Sequence, residues 1–144
     1  MINSDTVKLL RECDAGIKMG TASIKDVLDN VHCSDLRKIL SLSLDEHENL
    51  GQRVGKKLDM CCDEGKEPNP ITKSMSWIKT NVKLAANESD ATIADLMTDG
   101  CNMGVKSLSS YLNQYKAASE KSKDIAKKLI AIESELGENM RPYL

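Results

Sequence analysis

The chain has 144 residues, and 20 basic residues stand against 22 acidic ones for a formal net charge of −2. That balance offers nothing to steer it toward DNA, RNA or an anionic membrane. With no Phe, one Trp and three Tyr it has no aromatic platform on which single strands could stack. One domain over residues 1–144 is expected. A chain of this length buries roughly 70% of its unfolded surface and folds without staples, here around a core that must be aliphatic and Met-rich.

The five cysteines are Cys13, Cys33, Cys61, Cys62 and Cys101. Two are adjacent and no C-x-x-C occurs, so neither a zinc spacing nor a thioredoxin motif is present. The N-terminal "MINSDTVKLL" lacks a basic region followed by an apolar run, so no signal peptide is expected. No stretch approaches the ~18 apolar residues of a membrane span. These features point to a cytoplasmic protein with reduced, structural thiols.

In chain order, the first helix is expected to open near Ser4 or Asp5, whose side chains accept hydrogen bonds from first-turn N–H groups. Val7, Leu10, Asp14, Ile17, Thr21, Ile24 and Leu28 follow a 3-4 rhythm that places them on one face. "NVHCSD" breaks the pattern, with Ser34 as a plausible cap for the second helix. That helix is the most regular: Leu36, Leu40, Leu44, His47, Gly51, Val54, Leu58 and Cys61 form a helix–helix seam. It should run from about Ser34 to Glu64, roughly 45 Å at 1.5 Å per residue. Gly65 suits a C-terminal cap, and Pro68 and Pro70 forbid continuation.

Asn69 then caps a short helix with Pro70 at its first position, carrying Ile71, Met75, Ile78, Val82 and Ala85 with Trp77 beside the stripe. A third long helix is expected from about Ala91 to Ala118, on Ile93, Met97, Gly100 or Cys101, Gly104, Leu108, Tyr111 and Tyr115. The last begins near Ser119 or Ser122 and carries Ile125, Leu129, Ile132, Leu136 and Met140, ending before Pro142. No segment alternates as a strand does. The expected fold is all-α: four long helices, with a connection of about 25 residues between the second and third. That is enough for a crossover containing a short helix, which makes the second and third helices parallel.

"CDAGIK" at Cys13–Lys18 recurs as "CNMGVK" at Cys101–Lys106. A short match of this kind also arises by chance. If it reflects architecture, the bundle consists of two similar helical hairpins related by a pseudo-two-fold. Glycine inside a helix costs about 1 kcal/mol relative to Ala, so Gly16 and Gly104 invite a steric reason: a close crossing of the first and third helices. Cys13 and Cys101 would be small packing residues near it, and a reducing compartment disfavours a disulfide between them.

Together with "SWIKTNVKLA" in the connection, these two motifs make the chain resemble the ferritin-like superfamily, in particular its small bacterial four-helix proteins of unknown function. The resemblance implies a left-handed bundle with a carboxylate-rich centre, which in better-equipped relatives holds two iron or manganese ions. Such a centre takes a Glu from each of two helices and a Glu-x-x-His from each of the other two. Here Leu44 stands three residues before His47, and Leu136 three residues after Glu133. Where small relatives often carry Glu after the helix glycine, this chain has Ile17 and Val105.

What remains is one polar residue per helix, Asp14, His47, Asp99 and Glu133. For His47 the bland reading is a partly buried imidazole hydrogen-bonded to a carboxylate or carbonyl, and the sharper one a metal ligand. His32, between helices, is expected at the surface. No phosphate loop, nucleophile elbow or H-E-x-x-H is present. No catalytic, cofactor or metal residue is therefore assigned, and the missing ligands point away from an enzyme. The expected function is a ferritin-like bundle with a degenerate metal site and a structural or protein-interaction role, with a protein partner or self-association. The alternative is an iron or manganese protein with a reduced site around His47.

Overall fold

The computed structural model describes residues 3–61, 63, 65 and 89–144. The expected short helix over 69–85, with Trp77, and Cys62 lie outside the described residues. Four long helices, α1 (Ser4–Leu28), α2 (Ser34–Met60), α3 (Ser89–Gln114) and α4 (Glu120–Met140), are followed by a 3₁₀ turn at Arg141–Tyr143. No strand occurs among the described residues, so the protein is an all-α bundle.

The caps explain where each helix begins. Asn3, one residue ahead of the expected start, accepts from the Thr6 N–H at 2.9 Å and caps α1. Ser34 does not cap α2: the N-cap position is Cys33, with no side-chain cap bond. The carboxylate of Asp90, in the first turn of α3, instead fixes the turn ahead of α2, accepting from the His32 and Cys33 N–H groups at 2.8 and 2.9 Å. α2 stops at Met60 rather than near Glu64, and Gly65 beyond it holds φ +86°, a left-handed conformation suited to glycine. α3 ends at Gln114, short of Ala118. Ser119 caps α4 by accepting from the Ser122 N–H at 3.2 Å, and α4 gives way to the 3₁₀ turn that holds Pro142.

The same contacts fix the helix directions. At one end, Asn3 Nδ2 donates to the Ala117 carbonyl at 2.7 Å and the Ser119 N–H donates to Thr6 Oγ1 at 2.8 Å, so α1 starts where α3 ends and α4 begins. Arg11 pairs with Asp63 at 3.7 Å, which brings the end of α2 to that half as well. At the other end Asp90 joins the start of α3 to the α1–α2 turn. α1 and α4 therefore run one way, α2 and α3 the other. α1 packs chiefly on α2 and α3 chiefly on α4; α2 also packs on α4 and α1 on α3, while α2 and α3 make no substantial contact.

The apolar core is divided into two clusters. One holds Ile24, Leu40, Met97, Cys101 and Leu136; the other holds Cys13, Ile17, Leu50, Leu108 and Leu129. On every helix the chain passes from one cluster to the other, within about one turn on α4 and over two to three turns on the others. Between the clusters stand Gly20 on α1, His47 on α2, Gly104 on α3 and Glu133 on α4. Cys13 and Cys101, expected near one crossing, fall in opposite clusters.

Gly16 and Gly104 do not serve a crossing of α1 with α3. A Cβ on Gly16 would meet Leu129 at 3.6 Å, and one on Gly104 would meet the Glu133 side chain at 3.5 Å; both glycines face α4. A hairpin correspondence does exist in the other two helices. Six of the seven buried α2 residues, Leu36, Leu40, Ser43, His47, Leu50 and Val54, shifted by the 86 residues that separate His47 from Glu133, fall on Ser122, Ala126, Leu129, Glu133, Leu136 and Met140, while Leu58 falls on exposed Leu144 beyond α4. All six of the α4 positions are buried.

Candidate functional site

Of the four polar candidates, the fold brings two together. His47 Nε2 lies 2.7 Å from Glu133 Oε1, with His47 fully buried and Glu133 8% exposed. Asp99 is exposed on α3. Asp14 is buried, but it pairs with Lys18 on its own helix at 2.9 Å and lies against Gly65. His32 is exposed at the α1–α2 turn.

The His47 ring is held at both nitrogens. Nδ1 lies 2.7 Å from the Ser43 carbonyl oxygen one turn earlier. A carbonyl only accepts, so Nδ1 must donate. That assigns Nε2 to the Glu133 carboxylate, across the α2–α4 interface. Burial pushes the His47 pKa down, but the Glu133 hydrogen bond and charge, the Ser43 carbonyl and the Glu46 charge outweigh it, and the net shift is upward from 6.5. His47 and Glu133 thus form a charge-assisted pair inside the protein.

Two glycines make room for it. A Cβ on Gly20 would meet the His47 ring at 2.9 Å, so α1 can approach the imidazole only through a glycine. Gly104 brings the α3 backbone close to the Glu133 carboxyl. From α3 the buried Cys101 thiol faces Glu133, and burial followed by the Glu133 charge pushes its pKa up. Burial, then the Glu12 and Asp14 charges, raise the Cys13 pKa to about 12. Both thiols stay protonated, which removes them as nucleophiles.

Sequence reading missed Ser43, Gly20 and the Cys101 contact. Ser43 was hidden because Leu44 is the more apolar neighbour, although it stands one helical turn before His47. The "CDAGIK"/"CNMGVK" echo aligns Gly16 with Gly104, whereas the fold sets Gly20 level with Gly104, one turn further on.

A dinuclear carboxylate centre draws ligands from all four helices. At the level of His47 and Glu133, α1 and α3 bring glycine instead. Ile17 belongs to the apolar cluster one turn away, and Val105 is half-buried. No three His, Cys, Asp or Glu side chains group to hold an ion among the described residues. The residues present do not fit a dinuclear metal centre. No helix of the described residues is long and apolar enough to cross a membrane.

Comparison of the chain with protein-family models, curated proteins and solved structures gives no match.

Proposed function

We propose that the chain is a non-catalytic ferritin-like bundle, of the small bacterial kind, whose metal centre has given way to a hydrogen-bonded His–Glu pair. Its role is structural or in protein interaction, with a protein partner or a second copy rather than nucleic acid. The observation that carries this reading is the polar layer itself: His47 and Glu133 satisfy one another, while α1 brings only glycine to their level and α3 a glycine and a protonated thiol. The helix directions support the ferritin-like part, since parallel α2 and α3 call for a long crossover. The short helix over 69–85 belongs to this proposal. So does a cytoplasmic setting, which the free thiols of Cys13, Cys33, Cys61 and Cys101 support.

The alternative, an iron or manganese protein with a reduced site, rests on the imidazole and carboxylate donors of His47 and Glu133, which meet at 2.7 Å across α2 and α4. Elemental analysis of protein purified without chelators decides between the two. Iron and manganese far below one equivalent per chain support the metal-free bundle. A stoichiometric ion that disappears in His47→Ala overturns it.

A further inference from the structure

We propose that one proton, shared between His47 and Glu133, acts as a latch holding α2 against α4, and that rising pH releases it. Nδ1 is committed to the Ser43 carbonyl, so the ring carries a hydrogen there in either charge state. Nε2 and Oε1 approach to 2.7 Å, a separation that requires a proton between them, because two facing lone pairs repel. The latch is the same whether that proton rests on nitrogen or oxygen. Withdrawing it leaves a lone pair against a carboxylate in a site with little access to water, and an unpaired buried charge is costly.

The surroundings set the direction of the response. α2 presents Glu46, whose charge acts on the ring, and α4 presents Glu133 itself. α3 presents the Cys101 thiol, whose pKa is raised by burial and by Glu133. α1 presents the Gly20 backbone. The charges named are negative, and they hold the proton. A folded-state His47 pKa above 6.5 contributes stability that is complete below the unfolded-state value. That contribution is lost as the pH rises through the folded-state value. Release therefore belongs to the alkaline side. The latch stands on this geometry alone and does not depend on the ferritin-like reading.

Ring-nitrogen NMR of the whole protein across neutral to alkaline pH should show His47 titrating above the ordinary imidazole value of 6.5. Amide protection factors in the middle of α2 and α4 should fall at least about tenfold through the His47 titration, while those at the ends of the bundle hold. In Glu133→Gln the His47 midpoint should drop below 6.5, since the largest opposing influence on burial is then gone. His47 titrating at or below 6.5 in the unaltered protein overturns the latch. So does α2–α4 protection that stays flat through the His47 titration. If Glu133→Gln does not fold, the unaltered protein decides alone.

Discussion

Asp14 and Glu133 are two carboxylates almost equally withdrawn from water, 9% and 8% exposed, and they do different things. Asp14 reaches Lys18 one turn along the same helix, and the Lys18 side chain is 38% exposed, so solvent shares the charge. Glu133 reaches across to another helix, to an imidazole with no exposure at all. The fractional burial of an acid therefore says little about its worth. What matters is whether its partner still touches water, because solvent screens the first pair and leaves the second to the low-dielectric interior.

The largest effect expected from this contrast is on His47. His47→Ala leaves Glu133 buried without its cationic partner and should cost about 3–5 kcal/mol in urea unfolding. A loss below about 1 kcal/mol would make Glu133 as well screened as Asp14 and would collapse the distinction.

Gly20→Ala comes next. Its Cβ falls 2.9 Å from a ring that two hydrogen bonds hold in place. Overpacking of about 1–3 kcal/mol should outweigh the gain in helix propensity of about 1 kcal/mol. Gly55→Ala, where a Cβ would meet nothing within 4 Å, should show the propensity gain alone. Equal melting shifts in the two variants would mean that the imidazole is not fixed.

The smallest effect belongs to Lys18→Met, at about 0–1 kcal/mol, as for partly exposed ion pairs. A loss approaching that of His47→Ala would place Asp14 in the same class as Glu133.

The sequence was most legible where aliphatic spacing was unbroken. On α4, Ile125, Leu129, Ile132, Leu136 and Met140 are all buried as the spacing predicts, and the helix ends just ahead of Pro142. On α2 the expected stripe drifted at two places, taking Leu44 and Gly51 where Ser43 and Leu50 are buried. Adjacent positions share the edge of a 3.6-residue stripe, so hydrophobicity chose Leu44 over a serine whose burial follows from the His47 site. On α1, Val7 and Leu28 proved half-buried, while Thr6, Leu9 and Val27 took the core. The helix directions depended on Asp90, Asn3 and Thr6, whose partners lie far away in sequence. For the site, His47 and Glu133 were both among the candidates, but so were Asp14 and Asp99. Which two of them meet depends on the packing of different helices, and no single-helix pattern encodes that.

The shared register of α2 and α4 has a consequence for how the chain chooses its own halves. Helices that bury the same pattern of positions are near-interchangeable to an apolar core, so each hairpin could dock on a copy of itself. Two α1–α2 hairpins joined in this way would set one imidazolium against another, and two α3–α4 hairpins would set carboxylate against carboxylate. Only the union of unlike hairpins puts opposite charges in the layer. Like-charge juxtaposition is a strong bar to wrong pairing, and here two side chains suffice to direct each hairpin toward its unlike partner rather than toward a copy of itself.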